Sequence, residues 1–180
     1  MNFVESDSYK DLRFPRIYVL QHRQDDPRKC TAAKLVRFRL AKPLYKIRQI
    51  PRKALVLNPF ASAHLLSKDR TQATRYGLIA IDCSWEKVQT AFSSPLPGQN
   101  VKLPTLLASN PTNYAKPQRL SSLEALAASL HIMGFEQEAG KLLSTFKWGP
   151  TFLSLNREPL EAYALASDEQ ELQIAESQFF

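Results

Sequence analysis

Glycine, cysteine and histidine are scarce in this chain of 180 residues, and each scarcity argues against a class of function. None of the five glycines forms the GxGxxG or GxxxxGK[ST] loop that cradles phosphates in dinucleotide-binding and P-loop proteins. The two cysteines, Cys30 and Cys83, have no CxxC or CxxH spacing and cannot build a disulfide framework. Three scattered histidines, without an HExxH or GxSxG motif, give no support to a zinc protease or a serine hydrolase.

Long apolar runs are also missing, although 44% of the residues are hydrophobic, as in a globular protein. No run approaches the ~20 residues that a membrane helix needs. The first residues, MNFVESDSYKDLRF, lack the apolar region of a secretory signal. Together with a cysteine content too low for a disulfide framework, these features lead us to expect a cytoplasmic protein without a membrane partner and without a bound metal.

Charge is distributed unevenly along the chain. The first 60 residues hold 14 Lys and Arg against 5 Asp and Glu, whereas the last 60 hold 3 against 9. A basic first third and an acidic last third favour a polyanionic partner such as RNA, although a solvated basic surface would give the same composition. Twelve cations are candidates for a phosphate-binding surface: Arg13, Arg16, Arg23, Arg28, Lys29, Lys34, Arg37, Arg39, Lys46, Arg48, Arg52 and Lys53.

Short apolar runs separated by helical segments predict an α/β fold with a parallel sheet and flanking helices. The predicted strands are RIYVLQ (16–21), ALVL (54–57) and LIAID (78–82). A short helix is expected after Pro27, and a polar helix with Ser67 as its N-cap is expected to end at Gly77. A loop is predicted over 93–104, where prolines recur.

The last third of the chain has a different, helical pattern. Ser121 and Glu124 have the spacing of a capping box before SSLEALAASLHIMGF, and Gly134 stands where such a helix should stop. EQEAGKLLSTF and EPLEAYALA give two more helical patterns. We therefore predict a basic α/β domain over 1–100 and a second domain over 101–180 with a ligand loop and helices.

Three places carry candidate chemistry. Asp82 follows a buried strand, and the carboxyl ends of parallel strands border the ligand crevice of such sheets. An ordinary turn or helix cap at Asp82 or Ser84 fits the same pattern, and Trp85 is suited either to stacking on a ligand or to filling the core. The irregular stretch 103–122, with Asn110, Asn113 and Tyr114, is long enough to suggest a binding loop rather than a plain connection.

The third place is 21–34, which follows the first predicted strand and therefore reaches the same edge of the sheet. Thr31, near a helix start, offers a hydroxyl and backbone N–H groups to a carboxylate, or simply caps the helix. His131 lies in an apolar helical pattern and is expected to be structural.

Taken in order, these places resemble the ribosomal RNA aminocarboxypropyltransferases. The resemblance spans about residues 16–163 and rests on DPRKCTAAKL, ALVLNP with LSKDR, GLIAIDCSW, LPTLLASNPTNYAKP, LSSLEALAASLHIMGF and FKWGPTFLSLN. It implies a SPOUT-like fold with a trefoil-knotted backbone and a helical C-terminal part. It also implies transfer of the 3-amino-3-carboxypropyl group of S-adenosylmethionine to N3 of a modified pseudouridine, such as N1-methylpseudouridine, in small-subunit ribosomal RNA.

The same resemblance implies a set of site residues. Trp85 is expected to shield the methyl group of the cofactor, and Asp82 to lie beside the reacting carbons as the catalytic residue. The other expected cofactor contacts are Thr31, Ile81, Leu103, Gln118 and Ser122. The chain departs from the family pattern at Ala115, where glycine is common, at Gln118, where an aromatic is frequent, and in CTAAK, where CTGKK is usual.

Two other functions remain open at this point. A methyltransferase of the same broad fold would use the same cofactor and a different carbon. A ribosome-assembly factor would keep RNA binding without catalysis, although it would not need Thr31, Asp82 and Trp85. The resemblance also leads us to expect a monomer that acts on small-subunit RNA or a pre-ribosomal particle.

Overall fold

A computed structural model describes residues 14–21 and 30–180 of the chain. Within this part, five parallel strands form one sheet in the spatial order β2-β1-β4-β3-β5. The strands are β1 Ile17–Gln21, β2 Lys42–Leu44, β3 Leu55–Leu57, β4 Leu78–Asp82 and β5 Gln99–Val101. β4 pairs with both β1 and β3, so its carboxyl end lies in the middle of the sheet edge.

The three predicted strands are confirmed to within one residue at their starts, and two strands were missed. β2 contains Pro43, and β5 lies inside the segment 93–104 that was predicted as a loop. Both are three-residue strands at the two edges of the sheet. Proline is tolerated on an edge strand, and three residues are too few for a visible hydrophobic alternation.

Eight helices accompany the sheet in the described part of the chain. They are α1 Thr31–Arg37, α2 Arg70–Tyr76, α3 Val88–Ala91, α4 Ser122–Ile132, α5 Glu136–Leu143, α6 Gly149–Leu155, α7 Arg157–Leu165 and α8 Glu169–Ser177. The prediction of an all-helical last third is therefore confirmed. α6 and α8 are helices that the sequence patterns did not single out.

The start of α2 corrects one expectation. Ser67 does not cap this helix, because Ser67–Asp69 forms a 3-10 turn and α2 begins at Arg70. The carboxylate of Asp69 accepts a hydrogen bond of 2.9 Å from the Leu66 N–H, which closes that turn. The Ser67 hydroxyl instead donates to the carbonyl of Ala166.

The ends of α2 and α4 confirm the predicted stop signals. Gly77 has a φ of +101°, and a Cβ there would lie 2.7 Å from a ring carbon of Tyr18. Gly134, beyond the end of α4, has a φ of +77°. At the start of α4 the predicted capping box is present, with the Ser121 hydroxyl accepting from the Glu124 N–H. These local signals fix where β4 and α4 begin.

Alternate residues of the strands enter two separate hydrophobic clusters, as the period of a β-strand requires. One face of the sheet is covered by α1, α4 and α7 and contributes Ile17, Val19, Leu55, Leu57, Leu78 and Ala80. The other face packs against Leu44, Ile50 and Leu96 and contributes Leu20, Val56, Ile79 and Ile81. Among the described residues, no helix combines the length and apolar character needed to cross a membrane.

Candidate active site

A cavity of about 1040 Å³ lies at the carboxyl edge of the sheet, where β3 and β4 end. It is bounded by the start of α1, the turn after β4, parts of the segment 103–125, and the segment 146–148. All seven predicted site residues line it: Thr31, Ile81, Asp82, Trp85, Leu103, Gln118 and Ser122. The structure thus brings together residues that are up to 91 positions apart in the sequence, from residue 31 to residue 122.

Asp82 is the last residue of β4 and pairs in register with Gln21, the last residue of β1. The thiol of Cys30 donates a hydrogen bond of 3.1 Å to Asp82 Oδ2. Cys30 is also the N-cap of α1, because its sulfur accepts from the Ala33 N–H at 3.3 Å. This pair joins the end of β4 to the start of α1, directly beside Thr31.

Burial raises the pKa of Cys30 to about 11, and the neighbouring Asp82 carboxylate adds to the increase. The hydrogen bond from the Ala33 N–H opposes this shift without cancelling it. At neutral pH Cys30 is therefore a protonated donor, so it presents a hydrogen to Asp82 rather than a second negative charge.

Trp85 opens a 3-10 turn, Trp85–Lys87, immediately after β4. Its indole Nε1 donates a hydrogen bond of 3.0 Å to the carbonyl oxygen of Leu120. The guanidinium carbon of Arg119 lies 5.1 Å from the centre of the indole ring. The position of the ring is therefore set from the opposite side of the cavity, by the residues that precede α4.

The buried side chain of Glu124 fixes the last part of the loop 103–121, which connects β5 to α4. Its Oε1 accepts from the backbone N–H groups of Ser109 and Asn110 at 2.6 and 2.9 Å. Its Oε2 accepts from the Ser121 N–H and the Asn110 side-chain amide, both at 2.7 Å. The Ser109 and Ser121 hydroxyls complete the set. Six donors thus converge on one carboxylate.

The first part of the same loop is fixed by the C-terminal helices. The buried Asn156 pairs with the backbone of Leu107, accepting from its N–H at 2.7 Å and donating to its carbonyl at 2.9 Å. Thr105 donates its N–H to Glu176 and accepts from the Tyr163 hydroxyl. Burial raises the pKa of Tyr163, and the charge of Glu176 adds to the shift, so this hydroxyl stays a donor.

Between these anchors the loop folds back on itself. The Ala115 N–H donates to the Ala108 carbonyl at 2.7 Å, and the Gln118 N–H donates to the Leu106 carbonyl at 2.9 Å. Ala115 and Gln118 both have left-handed backbone, with φ of +59° and +61°. A left-handed backbone favours glycine, which agrees with the glycine that the resemblance leads us to expect at position 115. Tyr114, at the tip, is 59% exposed and does not line the cavity.

The opposite wall is formed by α1 and by the connection between α5 and α6. Lys34 Nζ lies 4.1 Å from the centre of the Phe146 ring, and the rings of Phe146 and Trp148 are 5.3 Å apart. Lys34, Arg37, Phe146 and Trp148 all line the cavity. This wall combines cations with aromatic rings.

Known proteins are similar in sequence to this chain over nearly its whole length. The family described as "Ribosome biogenesis protein, C-terminal" matches residues 55–180. A 16S rRNA aminocarboxypropyltransferase of Methanothermobacter thermautotrophicus is 45% identical over 91% of this chain and 96% of its own length. One from Vulcanisaeta distributa is 43% identical over 88% of both chains. The chain belongs to the 16S rRNA aminocarboxypropyltransferase family.

A solved structure supports this assignment at the level of the fold. The SAM-dependent rRNA acp-transferase of Vulcanisaeta distributa superimposes with a TM-score of 0.83 and 39% identity. The match covers 91% of this chain and 95% of that chain. The α/β architecture with a parallel sheet and a helical C-terminal part is therefore common to this chain and an established aminocarboxypropyltransferase.

A second, shorter match does not change this assignment. Residues 15–44 resemble a family described as "Possible Fer4-like domain in RNase L inhibitor, RLI". Iron–sulfur clusters are held by four cysteine thiolates, and this chain has Cys30 and Cys83 alone. Among the described residues, no group of three or more His, Cys, Asp or Glu could hold a metal ion. An aminocarboxypropyltransferase with this sequence does not carry the ligands of such a cluster.

The basic residues of this aminocarboxypropyltransferase are more dispersed than the sequence suggested. Four of the twelve candidate cations, Arg13, Arg23, Arg28 and Lys29, lie outside the described residues. Of the eight that the structure describes, Lys34 and Arg37 line the cavity. Arg16, Arg52 and Lys53 precede β1 and β3, and parallel strands place such residues at the edge of the sheet opposite the cavity. These three candidates therefore lie away from the cavity.

Several residues that shape the site were not predicted as functional. Cys30 precedes Thr31 in the DPRKCTAAKL block, and its position as an N-cap residue was the available signal. Glu124 was predicted as a capping-box residue, which describes one part of its role. Asn156 and Trp148 lie in or beside FKWGPTFLSLN, but no local pattern marks them as neighbours of the loop or the cavity.

Proposed function

We propose that this protein transfers the 3-amino-3-carboxypropyl group of S-adenosylmethionine to small-subunit ribosomal RNA. The observation that carries the proposal is the convergence of all seven predicted site residues on one cavity at the carboxyl edge of the sheet. Relatives named 16S rRNA aminocarboxypropyltransferase, 42–45% identical to this chain, support the same activity.

The residues that line the cavity fit the cofactor. The half-buried indole of Trp85 offers an apolar face for the methyl group, and Ile81 and Leu103 offer backbone groups beside apolar side chains. Thr31 and Ser122 offer hydroxyls for the polar arm. Gln118 stands where relatives often have an aromatic, so its contact is proposed for the backbone, since its side-chain amide already donates to Thr105. Bound there, S-adenosylmethionine supplies a sulfonium whose aminocarboxypropyl carbon is open to attack.

The choice among the three carbons of the sulfonium is a matter of orientation. Trp85 would shield the methyl side of a bound cofactor, and Thr31 would hold the carboxylate of the arm, so that the arm would be the group presented to the RNA. Correct alignment of two reactants can supply up to ~7–11 kcal/mol of the barrier. The wall that contains Trp85 is anchored by the Leu120 carbonyl, so its position does not depend on the substrate.

The nucleophile we propose is N3 of a pseudouridine, in the N1-methylated form. A bond forms between N3 and the Cγ of the arm, the Cγ–sulfur bond breaks and leaves a neutral thioether, and the N3 proton is transferred to a base. Asp82 is the proposed base, because it ends β4 and lines the cavity, where the hydrogen bond from the Cys30 thiol orients its carboxylate.

Replacement of Asp82 by Asn tests the role of this carboxylate. General bases contribute ~10²–10⁴-fold, so kcat should fall by about that factor while the Kd for S-adenosylmethionine stays within about threefold. The measurement is single-turnover transfer to RNA together with calorimetric cofactor binding. Full turnover by Asp82→Asn with normal cofactor affinity would show that Asp82 only orients the reactants.

Cofactor labelled in the carboxypropyl arm, or in the methyl group, tests the function itself. After incubation with small-subunit RNA, nucleosides are separated and analysed by mass spectrometry. Label from the arm in a pseudouridine derivative supports the proposal, and label from the methyl group supports a methyltransferase. Cofactor binding without transfer of either label, or no cofactor binding, supports a non-catalytic assembly factor.

The proposal also covers where the protein acts, its oligomeric state, its affinity for RNA and the topology of its backbone. We propose that the protein acts as a cytoplasmic monomer on RNA or a pre-ribosomal particle, and that its affinity for RNA falls steeply as salt rises, because phosphate contacts release counterions. We also propose a knotted, SPOUT-like backbone, since the loop 103–121 lies against the turn after β4 through the Trp85–Leu120 hydrogen bond. The division into domains at residue 100 stays a prediction.

A further inference from the structure

We infer that Trp148, supported by Phe146, is the platform on which the target nucleobase stacks during the reaction. This inference rests on the proposed function and adds the subsite for the acceptor base. The cavity volume of about 1040 Å³ lies at the upper end of the ~300–1,000 Å³ range of ligand pockets. Apart from Thr31 at the start of α1, the proposed cofactor contacts belong to β4, the turn after it and the segment 103–122. The rest of the wall formed by α1 and 146–148 is left for a second ligand.

The two tryptophans of the chain differ in how they are held. The Trp85 N–H donates to the Leu120 carbonyl, so this indole is fixed by the protein. No hydrogen bond joins the Trp148 N–H to the described part of the chain, and this N–H is not among the described buried polar groups that lack a partner, so it is accessible. Trp148 therefore retains both a ring surface and a donor for a ligand in the cavity, such as a base with carbonyl oxygens.

The platform is rigid because the backbone around it is tightly packed. The Phe146 N–H donates to the Leu143 carbonyl, and the Gly149 N–H donates to the Phe146 carbonyl. A Cβ at Gly149 would lie 1.9 Å from the Leu143 carbonyl oxygen, so only glycine allows this approach. Trp148, the N-cap residue of α6, thus lies in a position that the end of α5 determines, as a preformed binding surface requires.

Contacts along one wall connect this platform to the reacting centre. Asp82 is hydrogen-bonded to Cys30, and Lys34 follows Cys30 by four residues, about 6 Å along the axis of α1. Lys34 then covers the face of Phe146, and Phe146 contacts Trp148. A nucleobase stacked on Trp148 would therefore lie on the same wall of the cavity as Asp82, the proposed general base.

The chemistry of this wall fits single-stranded RNA. Aromatic rings that stack on bases, next to cations that meet phosphates, are the features of single-stranded nucleic-acid sites. Lys34 and Arg37 line the cavity beside the rings, and the exposed ring of Phe38 lies 5.2 Å from the Arg37 guanidinium carbon. Because Lys34 occupies a face of Phe146, Trp148 is the ring left for the base.

Tryptophan fluorescence tests the platform directly. The chain has two tryptophans, so Trp148 is the sole emitter in the variant Trp85→Phe. The probes are an RNA hairpin with pseudouridine in its loop and the same hairpin with an abasic site at that position. We expect the pseudouridine hairpin to quench Trp148 and the abasic hairpin to leave it bright. Equal emission with both, while fluorescence anisotropy shows that both bind, would overturn the inference.

Steady-state kinetics gives a second, independent test in the full-length protein. Trp148→Ala should lower kcat/KM for RNA about 10- to 100-fold, because stacking on an aromatic ring contributes that much per base. Trp148→Phe should keep most of the activity, and Phe180→Ala, an exposed aromatic outside the cavity, should match the wild type. The Kd for S-adenosylmethionine should stay within about twofold in all three.

The outcomes separate this inference from the proposed function. A weaker cofactor affinity in Trp148→Ala would place this ring on the cofactor wall and overturn the platform. If the wild-type protein transferred no label from the carboxypropyl arm, the proposed function would fail. The comparison of pseudouridine and abasic hairpins would still decide whether a base stacks on Trp148.

Discussion

On one side of the cavity the loop 103–121 is fixed by buried polar groups, whereas on the other side α1 meets Phe146 and Trp148 through apolar and cation–aromatic contacts. Glu124 and Asn156 alone make eight hydrogen bonds to the loop or its end at Ser121. A wall held in this way suits a cofactor whose arm must be oriented in one direction. A wall of rings and flexible cations suits a base that arrives within a large RNA.

Glu124→Ala should cause the largest loss of stability, because it removes the carboxylate that anchors the loop 103–121. The Ser109, Asn110 and Ser121 N–H groups would lose a charged acceptor in a buried place, and each such loss costs ~1–3 kcal/mol. We expect the free energy of unfolding to fall by about 3–5 kcal/mol in urea denaturation. Cofactor affinity should fall as well, because the loop forms the cofactor wall.

Two further variants sharpen this prediction. Glu124→Gln keeps the shape and one acceptor oxygen, so it should lose roughly half as much stability. Glu136→Ala removes an exposed carboxylate in the first turn of α5 and should change stability by less than about 1 kcal/mol. A Glu124→Ala protein as stable as the Glu136→Ala protein would mean that the loop is held by packing instead.

The opposite wall should respond to pH through Cys30. The thiolate is the reactive form, and with a pKa of about 11 the alkylation rate of Cys30 by iodoacetamide should rise about tenfold per pH unit from pH 8 to pH 10. The rate should level off only near pH 11. Peptide mapping by mass spectrometry follows this residue separately from Cys83.

Asp82→Asn provides the matched control for this pH profile. It removes a charge that raises the pKa of Cys30, so the inflection should move towards the ordinary value of 9.0. Burial is the larger cause and remains, so the inflection should stay above that value. An unchanged profile in Asp82→Asn would mean that the hydrogen bond between these side chains contributes little in solution.

Part of the fold and some of the cavity residues could be predicted from local patterns. The apolar run of β4 and the capping box of α4 are signals within a few residues, and both are confirmed. The parallel arrangement then places Asp82 and the region around Thr31 at one edge of the sheet. The resemblance to a known family added the cofactor contacts expected at Ile81, Leu103, Gln118 and Ser122, which no periodicity indicates.

The contacts that hold the site together could not be predicted in this way. Cys30 and Asp82 are 52 positions apart, and Asn156 and Leu107 are 49 positions apart. Such pairs form because the sheet and the helices bring them together, and they leave no repeating pattern in the sequence. The three-residue edge strands β2 and β5 were missed for a related reason, since their pairing depends on neighbours far along the chain.

Ala115→Gly should give the smallest change in the free energy of unfolding, and it should raise stability rather than lower it. Ala115 has a φ of +59°, a conformation that costs an L-residue ~1–2 kcal/mol, and the side chain is exposed. Glycine removes this strain and adds ~0.4–1 kcal/mol of entropy to the unfolded chain. The free energy of unfolding should therefore rise by about 0.5 kcal/mol.

By contrast, Ala162→Gly inside α7 should lower the free energy of unfolding by about 1 kcal/mol in the same urea titration. A loss of stability in both variants would show that the loop relaxes around Ala115. The loop 103–121 would then differ less from the wall of α1, Phe146 and Trp148 than its hydrogen bonds suggest.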